Sequence, residues 1–446
     1  MKTAIHFLTA GALLGIALLP ARAAVRFHAL GDLPGGLFDS RGTQVSDDGR
    51  IVIGTSYSAN SQFELFRWTA TGGMKVLPNL PAGVVLETGF ASADFTRIAS
   101  RSAGANTEAV LWTQGVGIQT LGDLPGGLVY STSSGITTDG KMVVGTSSGT
   151  NGNEAFRWTA AAGMQNLGVL SGANWRSDAF GVSADGSVIV GSSNNAAGDN
   201  EAFIRDDVNF MRGIGDLAGG IFQSEASAIS ADGSVVVGIG HSSSGLEAFR
   251  WTTALGMVGL GDIPGGSFES FAMDVTADGS TIVGYGTSPT GSQAVLWNSN
   301  LQLVILQDLV AAMGLTLSGW KLQVAQGISA NGRHITGYGA NPDGNREAFL
   351  ISFLPNPPAI ALAGKSKVRA KSNGKFKIRG AATDDAAVVR VEYRIGSKGR
   401  WKKARGTDQW LVSAKLKPVA SSAKVAIRSV DEDGQTSPLL TAKVHR

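Results

Sequence analysis

Five aspartates recur at one place in a repeated phrase: Asp32, Asp123, Asp216, Asp262 and Asp308. A ring of such carboxylates can hold calcium or a cationic group. Calcium, however, needs about 6–8 oxygens converging on one point, and one aspartate per repeat does not supply them. Asn79 and Val169 also interrupt the series. The preferred reading is that each aspartate accepts backbone N–H groups of its own Gly-rich turn. The five histidines (His6, His28, His241, His334, His445) share no metal-ligand spacing, and the chain has no cysteine. No Ser-His-Asp set or nucleophile–base pair emerges, so no catalytic residue, metal site or cofactor is assigned. A carboxylate pair for glycoside chemistry stays open, because acids are plentiful.

Aromatic residues recur as well. Trp68, Trp112, Trp158, Trp251 and Trp297 fall once per repeat inside alternating apolar runs. That placement points to packing between repeats rather than to sugar stacking. A second set follows the Gly-rich phrase: Phe38, Val85, Val129, Trp175, Phe222 and Phe268, with Tyr130 beside Val129. Of these, Phe38, Tyr130, Trp175, Phe222 and Phe268 are the candidate ligand-binding residues. They are expected near the start of the innermost strands, where they either ring one face and stack on a glycan or peptide, or plug the gaps between repeats.

The elements that carry these residues follow from the repeat. LGDLPGG or a variant begins at Leu30, Leu77, Leu121, Leu167, Ile214, Leu260 and Leu306, with successive spacings of 47, 44, 46, 47, 46 and 46 residues. A fixed period of this size marks a repeat architecture. Each unit holds four strand-like runs. In one they are Ser177 to Ser183, Val188 to Ser192, Glu201 to Arg205 and the residues around Phe210 to Ile214. Asp-Gly pairs at Asp48, Asp139, Asp185, Asp232 and Asp278 predict hairpin turns with both central residues at positive φ. The second repeat has Asp94-Phe95 instead, which predicts a looser turn. Four strands per ~40–50 residues is the pattern of a propeller blade. The array opens on a lone fourth strand, Val25 to Leu30, and ends on a third strand, Glu347 to Phe353. The expected fold is therefore all-β: a seven-bladed β-propeller over 24–354, closed by its N-terminal strand. The seventh repeat is longer, with a short helical turn expected around Val310 to Met313.

Residues 1–23 read as a secretory signal, with Lys2, an apolar core from Leu8 to Leu19 and a small-x-small site at Ala21-Arg22-Ala23. The apolar core is shorter than the ~20 residues a spanning helix needs, so no membrane span is expected. Export without cysteine fits a bacterial envelope or extracellular protein. Charge is split: residues 24–354 carry net −12 and residues 355–446 carry +13. Past the stiff Pro-Asn-Pro-Pro linker at 355–358, short alternating strands suggest a small Ig-like or fibronectin-like β-sandwich over 355–446, with Trp401 or Trp410 in its core. Lys365, Lys367, Arg369, Lys371, Lys375, Lys377 and Arg379 alternate, which is expected to place them on one sheet face that attracts an acidic polymer.

The third strands read EAFRWT at Glu154 to Thr159 and Glu247 to Thr252. With the Gly-Met that follows, the LGDLPGG phrase and the Ser-x-Asp-Gly hairpin ahead of VVVG, the chain resembles the HAF-repeat family of extracellular bacterial proteins. The resemblance covers about residues 27 to 353. It implies location and a propeller-like shape, and no reaction. The family's His-Ala-Phe is Glu-Ala-Phe here, so no role of that histidine carries over. The tail resembles the Ig-like modules at the ends of bacterial secreted proteins.

The repeats are near-identical where a catalytic site would break their symmetry. The leading expectation is a secreted, non-catalytic protein that binds an extracellular glycan or protein surface. It is a monomer by default, with no specific nucleic-acid partner. The alternatives are a propeller enzyme acting on a polysaccharide, as hydrolase or lyase, and a structural envelope or matrix protein.

Overall fold

The computed structural model describes residues 25–445 except 61, 82–83, 104–106, 171–174, 355–358, 364–366, 374, 384–387, 398, 408, 416–420, 432–435 and 438. The leader at 1–23, the linker at 355–358 and Lys365 lie outside the described residues. Two compact units appear, Val25–Phe353 and Leu354–Arg446.

Among the described residues, the first unit holds seven antiparallel sheets, an all-β arrangement compatible with a propeller-like fold. The fifth sheet is representative: Gly219–Ile229, Val236–Ser242, Gly245–Thr252 and Gly256–Gly259 pair in that order. The first strands of the other sheets are Ser40–Val45, the short pair Val85–Leu86 and Phe90–Ala91, Gly126–Ile136, Ser177–Val182, Ser270–Val275 and Lys321–Ile328. In the seventh sheet the fourth strand is Val25–Ala29, which pairs antiparallel with Arg346–Phe353 from Val25↔Phe353 to Ala29↔Phe349. The edge that the last repeat would leave open is thereby covered. Phe27 stands edge-on to Trp320, with ring centroids 4.9 Å apart.

The sheets alternate β-branched and small residues because each is buried on both faces against its neighbours. Phe66, Phe156, Phe203, Phe249 and Phe349 recur at the third strand, all fully buried. Trp68, Trp112, Trp158, Trp251 and Trp297 are buried too, as packing residues. The indole N–H of Trp112 donates to the Pro78 carbonyl, and that of Trp297 donates to the Leu260 carbonyl, each at 2.9 Å.

A polar device fastens sheet to sheet. Ser40, Ser131, Ser177, Ser224 and Ser270, all fully buried in first strands, donate to the carbonyls of Gly31, Gly122, Gly168, Gly215 and Gly261 at 2.6–2.7 Å. The same hydroxyls accept the N–H of Ala348, Ala109, Ala155, Ala202 and Ala248, on the third strand of the preceding sheet, at 2.9–3.0 Å. The Ser40–Ala348 bond joins the first sheet to the last with the geometry of the others.

The hairpin turns depart from the sequence expectation. Each is a four-residue turn, as where the Gly49 N–H donates to the Ser46 carbonyl at 2.8 Å. Only the glycine is left-handed, and the aspartates are not. The aspartate works through its carboxylate: Asp232 accepts the Ser230 hydroxyl at 2.6 Å and the Ser234 N–H at 3.0 Å. The Asp94-Phe95 turn is not looser. Phe95 takes the glycine's conformation at φ 55° and donates to the Ser92 carbonyl at 2.9 Å, with its ring buried in the adjoining core. Burial of the ring offsets the steric cost of that backbone.

Helix Leu306–Ala312 occupies the long seventh repeat and buries Leu306 and Val310. It spans more residues than the single turn expected there.

The second unit comprises two sheets. One orders Ala359–Leu362, Lys375–Thr383 and Gln409–Lys415. The other orders Lys367–Arg369, Leu440–His445, Ser422–Asp431, Val388–Ile395 and Lys402–Lys403. Phe376, Ile378, Trp410 and Val412 from one sheet meet Val391, Tyr393, Val425, Ile427 and Val444 from the other in a shared core. Trp410 is the core aromatic. Trp401 instead lies near the surface beneath Arg394 and Arg428. The basic residues do not share one face. Lys367 and Arg369 belong to one sheet, and Lys375, Lys377 and Arg379 to the other, because the chain crosses between sheets within the run.

Candidate functional site

From the second sheet onward the first strand of each sheet contacts that of the next, and Ser40–Val45 contacts Lys321–Ile328. Between the first and second sheets, the Ala91 N–H donates to Gln44 Oε1 at 2.6 Å. The strands surround a cavity of about 900 Å³, to which every one of the seven sheets contributes. That is the size of a small-molecule pocket, ~300–1,000 Å³.

Its wall mixes three kinds of group. Phe63, Phe90 and Phe180 supply apolar surface. Arg41 and Arg101 supply donors: Arg41 lies over the Phe63 ring at 4.8 Å, and Arg101 pairs with Glu87 at 2.9 Å. Glu225 and Asp274 supply carboxylates, for which no ion pair occurs among the described residues. Burial pushes the Glu225 carboxyl up, and the like charge of Asp178 pushes the same way against the opposing pull of Arg176. Burial pushes Asp274 up to about 6, even though its oxygens accept the N–H groups of Val275 and Ile328 at 2.8 and 2.9 Å. A hydroxyl-rich ligand meets acceptors, donors and ring faces in this wall, as a sugar requires.

Asp274 was not singled out in the sequence, yet a signal for it exists. Two residues ahead of each turn Ser or Thr, the repeats carry Gln44, Phe90, Gly135, Gly181, Ala228, Asp274 and Gly327. Small residues dominate because adjacent first strands approach closely there; a Cβ on Gly327 would stand 2.2 Å from the Thr43 carbonyl oxygen. Asp274 breaks the series by reaching across to the next sheet, as Gln44 does.

None of Phe38, Tyr130, Trp175, Phe222 and Phe268 lines the cavity. Phe38, Trp175 and Phe268 each lie two residues ahead of a first strand, and Tyr130 and Phe222 lie in the N-terminal halves of longer ones, so all fall toward one end of the first strands. Phe38, Trp175 and Phe222 are 39%, 45% and 44% exposed, so they are not plugs, while Tyr130 and Phe268 are half-buried. Their neighbours Leu37, Leu128 and Ile221 are more exposed still. The flanking backbone is pinned to the preceding sheet, with bridges at Asp39↔Arg346, Thr107↔Tyr130 and Leu246↔Glu269.

Two aspartates of the Gly-rich phrase serve structure, with other partners than expected. Asp216 accepts the N–H groups of Gln223 at 2.8 Å and His241 at 3.2 Å, and Asp262 those of Glu269 and Thr287 at 2.8 and 3.3 Å. They tie the phrase to the strands beyond it. The third-strand glutamates hold its other side: Glu347, Glu201 and Glu247 accept the N–H of Gly31, Gly215 and Gly261 at 2.9, 3.1 and 2.8 Å. Asp308 lies in the helix instead.

Among the described residues no group of three or more His, Cys, Asp or Glu is placed to hold a metal ion, and no helix is long and apolar enough to cross a membrane. No protein-family model matches the chain, and no curated protein does. Among solved structures, the chain is similar to the crystal structure of TolB from Acinetobacter baumannii at 14% identity and a TM-score of 0.40, over 60% of this chain and 63% of that one. The chain thus spans less than two thirds of the length of that structure.

Proposed function

We propose that the chain is an exported, non-catalytic binding protein of the HAF-repeat kind. In this reading it is a seven-bladed propeller closed by its N-terminal strand and followed by an Ig-like module. It holds an extracellular glycan at the end of the strand ring where Phe38, Tyr130, Trp175, Phe222 and Phe268 gather. The observation that carries the reading is the pairing of that exposed apolar end with the mixed carboxylate, arginine and aromatic wall of the cavity. The Ser40–Ala348 bond and the pairing of Val25–Ala29 with the last strand support closure. Aromatic side chains stack on sugar faces, and the polar wall supplies partners for hydroxyls. A glycan array probed with the mature chain tests this. Binding that is lost in Trp175→Ala and Phe222→Ala is the expected result. Glycan binding untouched by both substitutions, or an array with no ligand beside capture of a protein partner, would move the site or the ligand class.

A second reading, glycan cleavage, draws on one observation: Asp274, at about 6, is a carboxyl poised near neutral pH inside the cavity. Turnover of a bound glycan that disappears in Asp274→Asn would establish it.

A further inference from the structure

The outer face of the five-stranded sheet in the second unit carries an unusual row. Lys367 pairs in register with Lys443 across a parallel ladder, and Lys443 pairs with Lys424 across an antiparallel one. All three lysines are exposed, while Val444 and Val425 beside them point into the core. Three like charges therefore stand directly opposite one another on adjacent strands, a pairing that destabilises a sheet. The acid described on this face, Glu392, is already held by Arg390 at 3.0 Å and by Arg428 at 2.7 Å. No ion pair to any of the three lysines occurs among the described residues. Arg369 extends the basic surface beside Lys367, opposite His445.

We propose that this row binds a linear, carboxylate-bearing polysaccharide. Charge complementarity selects a polyanion, and the geometry narrows the class. The row crosses three adjacent strands in register, with one charge about every 4.8 Å, the strand spacing. A nucleic-acid strand carries one charge about every 3.4 Å and is gripped through free aromatic platforms. Here Trp401 is occupied, with Arg394 at 4.8 Å and Arg428 at 4.2 Å from its ring centre. Of the arginines on this sheet, which suit bidentate phosphate contacts, Arg390, Arg394 and Arg428 are engaged by Glu392 and Trp401, and only Arg369 stands beside the row. The lysines that remain are compact point charges, suited to single carboxylates spaced along a chain. This site is separate from the cavity of the first unit and does not depend on what binds there.

The test uses the mature full-length protein and polygalacturonate as the probe, with neutral dextran, single-stranded DNA and anionic phospholipid vesicles as parallel arms. The expected result is salt-dependent binding to polygalacturonate alone or most tightly. The triple variant Lys367→Gln, Lys424→Gln, Lys443→Gln weakens it on the order of tenfold at low salt and flattens the salt dependence. A control triple with the same charge change on the other sheet, Lys375→Gln, Lys377→Gln, Arg379→Gln, weakens it less than about twofold. Thermal unfolding of the first triple is unchanged or higher, because like-charge pairs are removed, so lost binding is not lost folding. Equal loss in both triples, tighter binding to DNA or vesicles, or no binding to polygalacturonate overturns the proposal.

Discussion

The two ends of the first strands are built from the same repeat and differ in kind. At one end the Ser-x-Asp-Gly turns hydrogen-bond to one another across sheets. The Ala184 N–H donates to Ala231, Ala231 to Ala277 and Ala277 to Ala330, at 2.9–3.0 Å, and Asn331 Nδ2 donates to the Asp47 carbonyl at 2.8 Å. Backbone polarity there is spent on neighbours. At the other end the loops are pinned from beneath by serine, glutamate and aspartate side chains, and what projects is apolar: Leu37, Phe38, Leu128, Trp175, Ile221 and Phe222. The difference separates a fastened end from an exposed one. One end locks sheet to sheet, whereas the other offers side chains that nothing in the first unit buries. Exposed apolar groups gathered in one place are a mark of an interaction site.

The sharpest way to break this picture is to remove the strand that covers the last edge. Deleting Val25–Leu30 strips Phe27 from Trp320 and the buried Leu30 from its cluster. The loss should exceed the ~3–5 kcal/mol of a single core phenylalanine truncation. Chemical denaturation of chains beginning at Ala24 and at Gly31 measures it. Equal midpoints would mean that the first strand is an ornament, and that the locked end holds without it.

Next in size is the serine device. Ser177→Ala orphans the buried Ala155 N–H and the Gly168 carbonyl together. At ~1–3 kcal/mol for each unsatisfied group, the cost is about 2–6 kcal/mol. Ser187→Ala, on the exposed turn at the other end, should change stability by less than about 0.5 kcal/mol. Similar losses at both positions would erase the contrast between a buried fastening and a surface turn.

Much of this was legible in advance, and the reasons differ by element. The period and the four strands per unit were readable because alternation and Gly-rich loops repeat six times over, so errors in one copy are corrected by the others. The pairing of the first strand with the last sheet was readable because Val25 to Leu30 matched a fourth strand without a sheet. The turn conformation was not, because Asp-Gly suits two turn types and only the Ser–Asp side-chain bond decides between them. Nor was the serine device: Ser40 or Ser177 at a strand start looks like any small polar residue until the preceding sheet's N–H is brought to it. The basic tail misled for a related reason. Alternation places residues on a face of their own strand, but it does not say that two successive strands share a sheet.

A smaller effect sharpens what the cavity does. Asp274 has a folded pKa of about 6 against an ordinary 3.8. A raised carboxyl favours the fold fully below 3.8, and that contribution fades as pH rises through about 6. A rise of roughly two pKa units is worth ~2.7 kcal/mol, and contact with the cavity reduces this to about 2 kcal/mol. The intact chain should thus lose that much stability between pH 4 and pH 7. Asp274→Asn, which keeps an acceptor for Ile328, should remove that part of the slope. Denaturation midpoints across this range check it, and an unchanged slope would assign the titration to other groups.

The least costly change bears most directly on binding. Trp175 is 45% exposed at the apolar end, while Trp112 and Trp297 are at most 1% exposed inside the sheets. A soluble quencher should therefore act on Trp175 far more than on the repeat tryptophans, and Trp175→Phe should remove a large part of the quenchable emission, with the half-buried Trp401 supplying the rest. Because the ring packs little, that substitution should cost less than about 0.5 kcal/mol. Adding the ligand found on the array should protect Trp175 from the quencher and leave the emission of Trp175→Phe unmoved. If ligand instead changes the quenching of both proteins alike, the contact lies elsewhere. The apolar end would then have to be read as a surface for a larger partner, with the cavity as the glycan site.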